Sequence, residues 1–448
     1  MIDKDGALAR CQELVALARK RGADAADAAY GGEASESISV RLGALEDVSR
    51  SESEGIGLRL FVGNRSATIQ TSDLAPSAFA ALVERGLEMA RHAPQDPYAG
   101  LAPEERLYRG GPPDLDLADP IEPGPAALRE RAAACEDAAR AVAGVTNSNG
   151  AGAGASRSVS ALATSHGVAK ASEATGHSLS ASVIAGEGSN MQTDHAGRSA
   201  RHAADLPEPA TIGREAGERA VARVNPSTLP GGTMPVVFDP RVGSSLVGQL
   251  IGAMNGAAVA RKASFLIGHE DAALFDPAIR ILEDPLRRRG LASRAIDGEG
   301  VATQPRALIE NGRMFGWLTN VAVARQLGAP LTGHAARGTG GAPGITTGNI
   351  HMAPGELSPE ALMADIADGI YVTELFGQGV NLVTGDYSRG GAGFRIVNGA
   401  LAGPVAEITI AGHMLDMFRA LTPASDLEIR RGIDVPTLRI DGMTVAGA

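Results

Sequence analysis

A chain of 448 residues is longer than one hydrophobic core usually organises, because cores stop growing near roughly 250 to 300 residues. Two or three units are expected. A content of 44 % hydrophobic and 21 % charged residues describes a globular protein and excludes a disordered tail. The net charge of -11 is spread along the chain without a Lys/Arg block, which argues against a nucleic-acid ligand.

The first thirty residues lack a basic start followed by an apolar run, so no signal peptide is read there and a cytoplasmic protein is expected. Leu8, Cys11, Leu14, Val15 and Leu17 at helical spacing predict a helix over 5–21. "SISVRL" alternates Ile38, Val40 and Leu42 with polar residues, and "IGLRLFVGNRSATIQT" turns at Gly63-Asn64, which together predict an antiparallel sheet with one wet face. A second helix follows over 75–92, with Pro76 near its start. Residues 96–125 are dense in Pro and Gly and read as an irregular connector, at which a domain seam is expected.

A helix over 125–142 leads into "ASRSVSALATSHGVAKASEATGHSLSASVIAG", whose alternating small residues predict strands. After a helix over 208–224, "MPVVFDP" opens the C-terminal half with a buried strand. The units expected are 1–110, 111–230 and 231–448.

The stretch 241–261 carries no charge between Arg241 and Arg261, and Gly248, Gly252 and Gly256 recur at every fourth position. Eight of its nineteen interior residues are Gly, Ser, Gln or Asn, too polar a content for a membrane span. The glycine spacing instead predicts a flat ridge on a helix wedged inside the protein. Further on, Asn311-Gly312 and Asn398-Gly399 sit between apolar runs and predict hairpins, flanked by helices near 320–328, 358–367 and 412–421. The fold class expected is α+β, with an N-terminal antiparallel sheet and helices, a middle sheet segment and a β-rich C-terminal domain.

Several clusters carry candidate chemistry. His269 and Glu270 raise the metalloprotease helix motif, but the positions of a second imidazole hold Ala273 and Leu274. "DGEG", Asp297 to Gly300, reads as a structural turn, since a calcium loop needs more oxygens in series. "GTGGAPG", 338–344, lacks the Lys and hydroxyl of a phosphate loop and reads as a flexible loop. "GDYSRGGAGF" sets Asp386, Tyr387, Ser388 and Arg389 between glycines, where they either hold a peptide backbone or a partner's carboxylate, or form a bulge with solvated side chains. His334 in "LTGHAARG" is similarly open. No G-x-S-x-G elbow is present, and Cys11 and Cys135 lie on amphipathic helices as small hydrophobes.

Read together, "RKASFLIG", "RGLASRAIDGEGVATQPRALIENG", "ARQLGAPLTGHAARG", "VTELFGQGVNLVTGDYSRGGAGFRIVNG" and "PVAEITIAGHMLDMFRAL" resemble the TldD/PmbA family, and its PmbA (TldE) branch more closely than its TldD branch. "GIGLRLFVGNRSATIQTSDLAPSAF" and "ARHAPQDPYAG" extend the resemblance over nearly the whole chain. The resemblance implies a protein that joins TldD in a zinc-dependent protease acting on extended peptides. In that family the metal belongs to TldD, whose helix carries H-E-x-x-x-H and whose C-terminal region adds a Cys ligand.

Placing "LVGQLIGAM" on that helix puts Gly248, Gln249 and Ala253 where the His, Glu and second His stand. None of the three binds zinc, and an amide takes up no proton near neutral pH. The C-terminal tail has no Cys. The expectation is therefore a noncatalytic subunit with no metal or cofactor of its own, zinc residing in a TldD-like partner in a heterodimer. Two alternatives stand beside it: a self-sufficient peptidase using another site, built on His269, Glu270 or Asp386, and a homodimeric peptide-binding scaffold. Asp386, Tyr387, Ser388, Arg389 and His334 are the expected positions for contact with substrate or partner.

Overall fold

In the computed structural model, which describes residues 1–111 and 113–447, Asp3 starts α1 (Lys4–Lys20) by accepting the N–H of Gly6. The buried face of α1 packs on a long hairpin of β1 (Ala25–Arg41) and β2 (Ala44–Val62). After Gly63 and Asn64, β3 (Arg65–Thr71) returns along β2, as the dipeptide predicts. α2 (Pro76–His92) shares this core through Phe79, Leu82, Val83 and Leu87. The connector is irregular; Pro112 within it, like Ala448 at the end, lies outside the described residues. Then come α3 (Pro125–Arg140), β4 (Val145–Thr164), β5 (Ala169–Ala185), β6 (Gln192–Ala200) and α4 (Pro209–Ala222).

The six strands form one sheet in the order β3-β2-β1-β4-β5-β6. The N-terminal and middle strands, set in separate units on sequence grounds, meet where β1 pairs antiparallel with β4 from Asp27–Thr164 to Val40–Ala151. Even-numbered residues of β1 point to the helices: Ala26, Ala28 and Tyr30 under α1 and α2, Ile38 and Val40 under α3 and α4. The opposite face meets the C-terminal half, where Ala29 and Leu162 pack with Val301 and Val321.

That half begins with β7 (Gly232–Phe238), α5 (Pro240–Met254), α6 (Gly256–Ala260), β8 (Ile281–Asp284), β9 (Arg306–Glu310) and β10 (Arg313–Met314). It continues with α7 (Val321–Leu327), β11 (Ala335–Ala336), β12 (Gly344–Ile345), β13 (Asn349–Met352), α8 (Pro359–Met363) and β14 (Asp368–Phe376). β15 (Asp386–Val397), β16 (Ala400–His413), α9 (Met414–Arg419), β17 (Leu421–Pro423), β18 (Ile433–Asp434) and β19 (Leu438–Ala446) complete it.

β16-β15-β14-β7-β19-β17 form its larger sheet, and β16 also pairs with β19, so the sheet closes on itself. Only β14 and β7 run parallel within it. A smaller sheet, β10-β9-β8-β13-β18, packs into the same core through Ile281, Leu308, Ile309 and Ile350. Asn311 (φ 51) with Gly312 (φ 70), and Asn398 (φ 48) with Gly399 (φ 81), make the tight hairpins expected of those dipeptides. The architecture is α+β, and no helix among the described residues is long and apolar enough to cross a membrane.

Candidate functional site

Asp239 positions α5: one carboxylate oxygen accepts the N–H of Arg241 and the other the Tyr371 hydroxyl at 3.2 Å. Arg241 reaches from the helix start to Asp194 on β6 at 2.8 Å and so ties α5 to the first sheet. Burial pushes the Asp194 carboxyl up, but the Arg241 guanidinium, the His195 N–H and the Arg223 charge together outweigh it and hold the group below the usual carboxylate range. Leu246, Val247, Leu250, Ala253 and Met254 form the buried face.

The glycine ridge expected on this helix is not formed. The chain leaves helical geometry at Asn255 (ψ 111), whose side chain then caps α6, so Gly256 stands on a different helix. Close approach requires glycine only there: a Cβ on Gly256 would lie 2.6 Å from Val323 Cγ1 and 2.7 Å from the Leu318 carbonyl oxygen. A Cβ on Gly252 would meet only Leu382, at 3.8 Å, and one on Gly248 nothing within 4 Å.

Of the three positions on the family's metal helix, Ala253 is fully buried, while Gly248 and Gln249 are half-buried and Gln249 turns toward the loop before β15. A Cβ on Gly379 of that loop would lie 3.3 Å from Arg389 Cδ and 3.6 Å from Gln249 Nε2, so these two side chains converge on one glycine. A hydrogen, a carboxamide and a methyl group do not fit a zinc ion. Among the described residues no group of three or more His, Cys, Asp or Glu is placed to hold a metal.

Asp386 to Arg389 form the start of β15, and strand alternation divides them. Asp386 and Ser388 are exposed; Thr384 donates its hydroxyl to Asp386 at 2.6 Å. Tyr387 points inward, its hydroxyl meets no partner among the described residues, and burial pushes its phenol upward. Arg389 donates to the Leu375 carbonyl at 3.3 Å, while its Nε meets no acceptor among the described residues.

His334 stands apart from this strand. It is 1 % exposed, with Nε2 2.8 Å from Glu283 Oε2 and Nδ1 2.8 Å from Thr332 Oγ1. Its neighbours bind it into the core beneath β8, away from solvent. His269 and Glu270 lie in a run of turns, not on a helix.

Asp297 and Glu299 form the expected turn, in which Asp297 accepts the N–H groups of Glu299, Val301 and Ala335. The 338–344 loop is held rather than free. Thr339 lies over Gly57 of β2, where a Cβ would sit 1.7 Å from the Thr339 carbonyl oxygen.

Charged residues invisible as a motif join the sheet to the C-terminal half. Arg59 donates to Asp27 at 2.7 Å and to Glu299 at 3.3 Å, and Arg337 donates to Asp27 at 3.1 Å. Beside this network opens a cleft of about 620 Å³, lined by Tyr30, Leu117, Lys170, Arg294, Asp297 and Arg337 among others. Its lining comes from segments far apart in the chain, so no local spacing announced it. Cys11 and Cys135 are fully buried, which pushes both thiols up to about 12 and leaves them inert.

Models of the PmbA/TldA metallopeptidase domains match this chain three times: domain 1 at residues 26–90, the central domain at 112–224 and the C-terminal domain at 231–447. The metalloprotease PmbA of Escherichia coli O157:H7 is 37 % identical over 416 residues, covering 92 % of this chain and 90 % of that one. The crystal structure of a Bacteroides thetaiotaomicron VPI-5482 protein superposes with a TM-score of 0.90 at 26 % identity, covering 98 % of each chain. TldE from Thermococcus kodakarensis superposes with a TM-score of 0.87 at 20 % identity, covering 98 % of this chain and 100 % of that one, a likeness of fold. Similarity over nearly the full length of a metalloprotease, with all three domain models in order, establishes that the chain belongs to the PmbA/TldD metallopeptidase family, in its PmbA/TldE branch.

Proposed function

We propose that this chain is the noncatalytic, PmbA/TldE-type subunit of a cytoplasmic TldD-type zinc-dependent metalloprotease that degrades or processes extended peptides. The observation that carries the reading is the identity of the side chains on α5: Gly248, Gln249 and Ala253 offer no imidazole or carboxylate. Zinc, when bound in the TldD-like partner, supplies Lewis-acid activation of water. This chain's own contribution is surface and positioning. The outward Asp386 and Ser388 on β15, and Arg389 next to Gln249, offer polar contacts to an extended backbone or to the partner.

The test is reconstitution. Purified alone, the chain should hold no stoichiometric zinc and cleave no unstructured peptide; mixed with the TldD-type protein of its own organism, it should form a heterodimer that cleaves and is silenced by chelators. Peptide cleavage by the pure chain that resists chelation defeats the proposal.

A further inference from the structure

The cleft of about 620 Å³ lies between the first sheet and the C-terminal half, and its size suits a small organic molecule. Ala161 and Ala171 pack toward the helices on one face of the sheet, so strand alternation turns Leu162 of β4 and Lys170 and Ser172 of β5 to the cleft. Arg294, Ile296 and Arg337 stand on the opposite wall. Leu115 and Leu117 of the connector line it as well.

The carboxylates of this lining are engaged. Asp116 accepts from Arg288 at 2.9 Å and Arg289 at 2.6 Å, Glu173 pairs with Arg157, and Asp297 takes its three backbone N–H groups. Asp114 is exposed, with Arg288 at 4.0 Å.

Two of the cations are not answered in this way. Lys170 donates to the Gly110 carbonyl at 2.9 Å and lies 5.6 Å from the centre of the Tyr108 ring. Arg294 donates to the Thr346 and Thr347 carbonyls, at 2.7 Å each, and its Nε meets no acceptor among the described residues. On the same wall Arg337 Nη2 also lacks an acceptor among the described residues. Burial pushes the Arg294 guanidinium down from its ordinary value, against the opposing pull of Glu283 and Asp297. A guanidinium taken partly out of water and served only by neutral carbonyls keeps a charge that a bound anion would neutralise.

We propose that this cleft binds an organic carboxylate, with Lys170 and Arg294 meeting the charge from the two walls and Leu115, Leu117, Leu162 and Ile296 holding the apolar chain attached to it. A guanidinium matches the planar carboxylate with paired donors. The aliphatic lining suits a single charged head on an apolar body better than a bare inorganic ion. Such a head belongs equally to the C-terminus of a short peptide and to a free aliphatic acid. The proposal stands apart from the protease-subunit reading, since it needs neither metal nor cleavage.

Calorimetric titration of the full-length chain tests it with two acids, acetyl-Ala-Ala-Leu and hexanoate, each beside its own amide. At least one acid should bind with a Kd of roughly 0.1 to 1 mM, and the one that binds more tightly identifies the source of the carboxylate. Both amides should bind at least about tenfold more weakly. Arg294→Gln, whose amide still donates to a loop carbonyl, and Lys170→Met, which keeps the aliphatic stem, should each weaken the acid about tenfold. The second variant alters a side chain outside the core, so it decides the matter even where the first fails to fold. No binding of either acid at about 10 mM, well above that Kd range, overturns the proposal. So do amides that bind as tightly as their acids, or unchanged binding by Lys170→Met or by an Arg294→Gln chain with native circular dichroism.

Discussion

Glu299 lies 3.3 Å from Nη2 of Arg59, a contact made across the seam between the first sheet and the C-terminal half by two side chains that are each almost fully buried. Asp27 shares the same guanidinium and also receives Arg337, so two carboxylates and two guanidinium groups are enclosed together. Removing ions from water costs several kcal/mol each, and such clusters hold only while every member has its counterpart. The network therefore fixes how the halves meet more than it stabilises either one.

Burial raises the Glu299 carboxyl from 4.5 to about 7 in spite of the Arg59 charge. Between those values the folded chain holds a proton that the unfolded chain has released, so this group's contribution to stability falls as pH rises through the window, by up to about 1.4 kcal/mol per pH unit. Glu299→Gln removes the titration while its carbonyl still accepts the Val321 N–H. Urea unfolding of both proteins at about pH 5 and about pH 8 should show wild type losing ground to the variant at the higher pH. An unchanged difference rejects this assignment.

Glu136 is expected to be the fastening of the β1–β2 arm. Its carboxylate takes the Leu42 and Gly43 N–H groups and the Ser148 hydroxyl at once. Glu136→Ala leaves three donors unserved and should lower stability by about 2 to 3 kcal/mol, with the tip between β1 and β2 becoming a new site of limited proteolysis. A urea midpoint within error of wild type would count against it.

Gly57 and Gly248 should respond in opposite ways to one added methyl group. At Gly57 the methyl collides with the Thr339 carbonyl and must lift the 338–344 loop, so Gly57→Ala should cost about 1 to 3 kcal/mol. At Gly248 it meets open space in a helix interior, so Gly248→Ala should stabilise by about 0.5 to 1 kcal/mol. Thermal melts of the two variants check both signs. A destabilised Gly248→Ala would show that this face of α5 is packed after all.

What the sequence displayed, it displayed through local physics. Asn311-Gly312 and Asn398-Gly399 take positive φ at low cost, so their hairpins were legible from two letters each, and the helices near 5–21, 75–92 and 125–142 from their apolar spacing. The turn at Leu42-Gly43 was not, because Leu has no preference for φ 51 and is held there by a carboxylate 94 residues away. His334 stood open between a contact position and a solvated side chain, since its partner Glu283 belongs to a strand 51 residues earlier. The regular glycines at Gly248, Gly252 and Gly256 suggested a single ridge because spacing cannot reveal that Asn255 ends one helix and caps the next. Pairings across the first sheet and the C-terminal half, such as Arg59 with Glu299, depend on tertiary placement that no spacing encodes.

The residues of β15 offer a test that separates structure from function within four consecutive positions. Tyr387 buries a hydroxyl with no partner among the described residues, so Tyr387→Phe should leave stability unchanged or raise it by about 1 kcal/mol. In the reconstituted heterodimer that variant should cleave peptide as wild type does. Asp386 and Ser388 face outward on the same strand, so replacing both with Ala should leave the melting temperature of the isolated chain within about 2 °C, the shift expected of exposed substitutions in a chain this long. If these side chains hold the peptide or the partner, the same double variant should lower kcat/KM of the complex about tenfold, a loss of about 1.4 kcal/mol. Unaltered cleavage by the double variant together with intact heterodimer formation removes β15 from the binding surface and returns it to a purely structural role.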